Sequence, residues 1–226
     1  MGPSDDDLIA EMRLFMNQTM KNYDPSHDAA HVERVVTLSQ KLLRHEMLGP
    51  RAIKGLAYNS TVVILAALMH DIEDHKYQSS PSIDNKSPRV VYNALLDAGA
   101  SSELAQAVET IVSHVSYSKE KKDPAVVTRL IGNGFPELAL VQDADRLDAI
   151  GAIGIGRCFT FLGAKGKDSG APWKMESAME HLRGKLMQLQ GTMKTEAGRS
   201  LAAVRTQRLR EFESWWRQES MNDIDM

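Results

Sequence analysis

Apolar side chains recur along this chain at helical spacing, and polar loops separate the repeats. Residues 8–20 place Leu8, Ile9, Met12, Phe15 and Met16 on one helical face. Asn22, Tyr23, Asp24, Pro25 and Ser26 then read as a turn, with Pro25 fixing its shape. Residues 29–46 carry a stripe of Val32, Val35, Val36, Leu38 and Leu42, the mark of an amphipathic helix. Residues 61–69 are apolar nearly all round, which predicts a buried central helix. Residues 75–88 read as a long loop, 89–98 and 103–115 as helices, and 118–123 as a solvated charge run. Asn133, Gly134, Phe135 and Pro136 break the chain before an apolar stretch, 137–162, read as one buried helix. Residues 163–172 form a Gly/Lys-rich loop, with a substrate lid and a plain connection as its two readings. Two amphipathic helices follow at 176–193 and 196–218, their stripes read as core or dimer surface. Strand-like alternation is absent from this pattern, so the expected class is all-α.

Composition narrows the field without choosing a function. The 226 residues suffice for one core, and 42% hydrophobic with 25% charged residues is ordinary for a globular chain. A formal charge of −3 gives no basic excess to recruit nucleic acid. The single cysteine, Cys158, excludes an internal disulfide framework and an all-thiolate zinc site. The first residues lack a basic and apolar leader, and the longest apolar run, 62–69, is too short to span a bilayer. The expected setting is cytoplasmic, with no membrane partner.

Three segments put metal-binding groups in or beside apolar helices. They are SHDAAHVERV (residues 26–35), AALMHDIEDHK (66–76) and VQDADRLDAIGAIGIGRCF (141–159). The adjacent pair His70–Asp71 is the most informative, because it closes a strongly apolar helix. A carboxylate buried there without a partner is costly, and a divalent cation removes that cost while using both groups. Neighbouring helix positions point about 100° apart, so such an ion needs further donors from other helices. His31 and Asp145 are suitable by type. Two imidazoles with two carboxylates form a borderline-to-hard donor set, unsuited to copper(I) or an iron–sulfur cluster.

In their order, His…His-Asp…Asp, these segments resemble the HD-domain metal-dependent phosphohydrolase superfamily, over roughly residues 22–210. Within it they are similar to a bacterial and fungal branch of YpgQ/YedJ-like proteins. The resemblance implies an HD-domain helical bundle with a C-terminal helical extension. In that layout residues 1–21 are an N-terminal helix packed on the domain. Residues 22–162 are the core, and 163–226 are a loop and C-terminal helices of the same globule. It implies His31, His70, Asp71 and Asp145 as ligands of one divalent metal ion. Manganese or nickel is favoured, with iron, cobalt, magnesium and zinc as further candidates. Asp143, two residues earlier, is the rival for the last position. By helical geometry Asp145 and Asp148 share a face, which makes Asp148 a supporting partner or a helix–helix bond.

The implied activity is hydrolysis of nucleoside or deoxynucleoside triphosphates to monophosphate and pyrophosphate. The alternatives are a nucleoside monophosphatase or phosphodiesterase on the same site, or a non-catalytic nucleotide-binding regulatory module. An alarmone hydrolase is disfavoured, because Glu73-Asp74 sits one residue closer to His-Asp than in those enzymes. Asp74, one turn beyond His70, is a candidate general acid or base. Arg146 is a candidate basic contact to phosphate, and His27 and Lys76 are candidate phosphate-binding groups on flanking loops. Arg34 and Arg157, on apolar helices, each require a carboxylate or phosphate. His114 and the pair His181/Lys185, at i and i+4, are candidates to face the pocket, with no role assigned to them. The expected partner is a small nucleotide, and the C-terminal helices offer a homodimer surface.

Overall fold

The computed structural model describes residues 2–48, 57–72, 89–168 and 174–220. Every regular element among them is helical. Packing divides the chain into two compact units. The first comprises Met1–Tyr23 and His27–Ala144, the second Asp24–Ser26 and Asp145–Met226.

In the first unit, α1 (Asp5–Thr19) begins at a capping box. The Ser4 hydroxyl accepts from the Asp7 N–H, and the Asp7 carboxylate accepts from the Ser4 N–H. Asp5, Asp6 and Asp7 also sit at the positive end of the helix dipole. Leu8, Met12 and Met16 form its buried stripe. Helix α2 (Ala29–Leu48) buries Val32, Val35, Val36, Leu42 and Leu43. Helix α3 (Ser60–Met69) is buried on nearly every side, as its sequence predicts. It packs against α1, α2 and α5 (Ser102–Val112). Full burial of side chains such as Leu65, Leu68 and Met69 stabilises by about 1.5–3 kcal/mol each. Both ends of the central helix are therefore held in place. At its start, Asn59 caps the N–H groups of Thr61 and Val62, and the Asn59 N–H donates to Glu137 at 2.7 Å. At its end the chain turns through His70, Asp71 and Ile72.

Helix α4 (Val90–Asp97) packs on α5. The turn between them carries Gly99 at φ +88°, a conformation that favours glycine. The charge run expected at 118–123 is a short exposed helix, α6 (Tyr117–Lys122). It is followed by α7 (Pro124–Gly132), which the hydrophobic pattern did not predict. Asp123 caps α7 and Pro124 occupies its first turn. Helix α8 (Glu137–Asp148) closes the series.

The second unit corrects the expectation of one helix over 137–162. The chain breaks at Ala149–Ile150 and restarts as α9 (Gly151–Asp168), with Gly151 at φ +77°. Helix α9 continues to Asp168, so residues 163–168 are not the expected loop. The helix expected at 176–193 is also two pieces, α10 (Met175–Gly184) and a 3-10 segment, Leu186–Thr192. The final helix, α11 (Glu196–Ser220), is as expected. It packs on α9, where Phe159, Phe212 and Trp216 meet at ring-centroid distances of 5.7–6.1 Å. Arg183 on α10 bonds both Glu213 at 2.7 Å and Glu176 at 2.9 Å. No single helix among the described residues is long and apolar enough to cross a membrane.

Candidate metal centre

His31 reaches the interior from the first turn of α2. That turn is set by Asp28, whose carboxylate accepts from the His31 N–H at 2.9 Å. His70 and Asp71 reach the same place from the end of α3. His31 is fully buried, His70 nearly so, and the Asp71 side chain is 17% exposed. The Nε2 atoms of the two histidines are 3.2 Å apart. Asp71 Oδ2 lies 3.3 Å from the first and 3.5 Å from the second. Bonds of ~2.1 Å from one cation to neighbouring donors produce separations of about this size.

Two further observations test whether the donors fit a cation. His70 Nδ1 lies 2.8 Å from the Ala67 carbonyl oxygen. A carbonyl only accepts, so Nδ1 carries the proton, and neutral His70 presents a bare Nε2 lone pair to the cluster. That is the tautomer a metal ligand needs, held by the kind of outer hydrogen bond that orients ligating histidines. Asp71 Oδ2 is buried and accepts no hydrogen bond. An orphaned carboxylate oxygen facing two imidazole nitrogens is explained by a cation among them. Burial pushes the Asp71 carboxyl pKa upward, but His70, His31 and His27 more than offset that and hold it well below the usual carboxylate range. The residues present fit a divalent ion with two nitrogen donors and one oxygen donor.

The cluster brings together three of the four expected ligands, His31, His70 and Asp71. His27, the expected phosphate contact, is half-buried with its ring centroid 6.1 Å from that of His31. Asp145 is half-buried on α8, at the start of the second unit, while the rival Asp143 is fully buried in the first. Arg146 is 1% exposed, and its Nη1 donates to the Thr192 carbonyl at 3.0 Å. Asp74 and Lys76 lie outside the described residues, as does the whole of the loop expected at 75–88. Asp148 is a helix–helix partner, paired with Arg157 at 3.2 Å, one of the two readings its position allowed. That bond also supplies the carboxylate Arg157 was expected to need.

His114 lines a cavity of about 200 Å³ with Lys119, Glu120 and Asp123. Its Nδ1–H donates to the Thr110 carbonyl at 2.7 Å, and its own carbonyl accepts from Gln142 at 2.8 Å. His181 is half-buried on α10. Burial first, then the nearby Lys185 and Lys165, push its pKa down. The reading of the sequence missed Asp28. Its signal was a carboxylate three residues before His31 at a predicted helix start.

No family model matches the chain. The chain is 33% identical over 198 residues to YpgQ of Bacillus subtilis, an uncharacterised protein, covering 86% of this chain and 85% of that one. The structure of B. subtilis YpgQ in complex with ADP superposes with a TM-score of 0.68 at 28% identity, covering 98% of this chain and 99% of that one. An HD-superfamily hydrolase from Bacillus thuringiensis gives a TM-score of 0.66 at 26% identity, covering 97% and 100%.

Proposed function

The chain belongs to the YpgQ-like branch of the HD-domain superfamily, and from that membership we propose that it is a divalent-metal-dependent phosphohydrolase cleaving nucleoside or deoxynucleoside triphosphates to monophosphate and pyrophosphate. The observation that carries the reading is the convergence of His31 Nε2, His70 Nε2 and Asp71 Oδ2 within 4.8 Å, with the His70 tautomer fixed from behind. The B. subtilis relative's complex with ADP supports a nucleotide carrying more than one phosphate as the ligand class.

In this reading His31, His70, Asp71 and Asp145 hold the ion. A bound divalent cation supplies charge neutralisation at a phosphate oxygen and acidifies a water molecule for attack on phosphorus. His70 Nδ1 donates to the Ala67 carbonyl, so Nε2 is the nitrogen left to face the ion. Asp71 stays ionised because the flanking histidines favour its charged form. His27, beside His31, donates to a phosphate oxygen. Lys76 and Arg146 neutralise charge that spreads over the phosphate oxygens in the transition state. Asp74 accepts the proton from the attacking water or returns one to the leaving group.

The test is a panel of nucleotides against manganese, nickel, cobalt and magnesium, with each phosphate product measured. Pyrophosphate appearing with the monophosphate supports the reading. Orthophosphate from a triphosphate moves the cleaved bond to the terminal phosphate, and orthophosphate from a monophosphate makes the protein a monophosphatase. Tight nucleotide binding with no turnover in any metal leaves a regulatory module. Asp71→Ala removes a ligand and is expected to reduce turnover more than about 100-fold, beyond the 10–100-fold typical of an outer partner.

A further inference from the structure

Arg157 on α9 makes two bonds at once from a side chain only 12% exposed. Its Nε donates to the backbone carbonyl of Ser26 at 2.6 Å, and its Nη1 donates to Asp148 Oδ2 at 3.2 Å. Both partners are buried, Ser26 at 1% exposure and Asp148 at 2%. Ser26 is itself held in a tight turn, because Asp24 Oδ1 accepts from its N–H at 2.8 Å and from its hydroxyl. The guanidinium is a planar fork with donors in fixed directions, so it fixes its carbonyl partner relative to its carboxylate partner. A lysine ammonium is a point donor on a flexible stem and fixes neither direction.

The two points joined in this way are close in sequence to the proposed ligands. Ser26 directly precedes His27 and stands five residues before His31, three residues ahead of the start of α2 at Ala29. Asp148 stands three residues after Asp145 on α8, one turn along the same face. The carbonyl of Leu147, next to Asp148, also accepts from Arg205 on α11, so the end of α8 is fastened from two helices.

We propose that Arg157 is a positioning residue for the metal centre. By locking the Ser26 carbonyl to Asp148 it fixes the point from which the chain delivers His27 and His31, and the helix end beside Asp145. The inference rests on the metal-dependent reading given under Proposed function. It assigns to Arg157 no contact with metal or substrate. Its effect is on the precision of ligand placement, which shows as metal affinity.

The experiment is titration calorimetry of Mn²⁺ into the wild type, Arg157→Ala, Arg157→Lys and Asp148→Asn, each melted in parallel by circular dichroism. Arg157→Ala is expected to weaken Mn²⁺ binding 10–100-fold, the range seen for outer partners of metal ligands. Arg157→Lys is expected to keep most of the melting temperature but regain only part of the affinity, since one ammonium does not hold both acceptors. Asp148→Asn, which still accepts a hydrogen bond, is expected to fall between. A purely structural role predicts lower melting temperatures with unchanged Mn²⁺ affinity in the folded variants, and that result overturns the proposal. If Arg157→Ala does not fold, the Lys and Asn variants decide by the same comparison. A folded wild type that binds no divalent cation overturns the metal-dependent reading, and this inference with it. Wild-type binding matched by every variant overturns this inference alone.

Discussion

The Nε2 atoms of His31 and His70 face each other at 3.2 Å, although 39 residues separate them in the chain. The rings cross at 71° with centroids 5.1 Å apart, so the nitrogens point together rather than the ring faces stacking. With the His70 proton committed to Ala67, its inward nitrogen offers only a lone pair. Two inward nitrogens and a carboxylate suit a positive charge between them, and the proposed divalent cation would supply it.

Metal binding is therefore expected to stabilise the fold. A ligand present at 100 times its Kd adds about 2.7 kcal/mol, or roughly 5–10 °C in Tm for a chain of this size. Calorimetric melts with and without Mn²⁺ should show that rise in the wild type and lose most of it in His70→Ala. An equal rise in His70→Ala would remove His70 from the ligand set.

The choice between Asp143 and Asp145 is open to a paired substitution. Asp143 is fully buried in the first unit, and Asp145 is half-buried at the start of the second. Asp145→Asn is expected to abolish the Mn²⁺ rise in Tm while changing the metal-free Tm little. Asp143→Asn is expected to lower the metal-free Tm, as changes at buried polar groups do, by about 1–3 kcal/mol of stability, and to keep the Mn²⁺ response. The opposite pattern assigns the ligand to Asp143.

The clustering of His70 and Asp71 with His31 was foreshadowed because ionisable chemistry and packing left different marks in the same segment. Residues 61–69 are apolar on every side, so His70 and Asp71 stand out as ionisable groups at the end of a buried helix. The breaks at Ala149–Ile150 and Gly184–Lys185 were not legible by periodicity. Residues 137–162 stay apolar through the bend, and Leu182, Leu186, Leu189 and Met193 fit α- and 3-10 spacing alike. Helix α7 did announce itself, through Asp123 at its cap and Pro124 in its first turn, but that signal lies outside hydrophobic pattern. The need of Arg157 for a partner was readable from its residue type. The Ser26 carbonyl was not, because a backbone acceptor looks the same at every residue.

His181 gives the second unit a pH dependence whose sign follows from its surroundings. Burial, then Lys185 and Lys165, lower its pKa from the usual 6.5. The unfolded chain therefore binds more protons than the folded one in the window just below pH 6.5. Its contribution to stability is complete above that value and is lost as pH falls toward the folded pKa. Thermal melts at pH 7.5 and 5.5 should show a smaller acid-side fall in Tm for His181→Gln than for the wild type. An unchanged fall would mean that other groups set the acid limb.

Gly154 and Gly156, two residues apart on α9, are expected to respond oppositely to alanine. A Cβ at Gly154 would meet the Ala149 carbonyl oxygen at 2.2 Å and its carbon at 2.4 Å. Both are backbone atoms just past the end of α8, so relief requires moving the break between α8 and α9. Overpacking of this kind costs about 1–3 kcal/mol, or roughly 2–12 °C in Tm. A Cβ at Gly156 meets nothing within 4 Å, and the position is exposed. Gly156→Ala should therefore gain about 0.5–1 kcal/mol from helix propensity alone. Circular dichroism melts of the two variants measure both effects against one reference. If Gly154→Ala melts as high as the wild type, the close approach of α9 to Ala149 is not a feature of the folded protein.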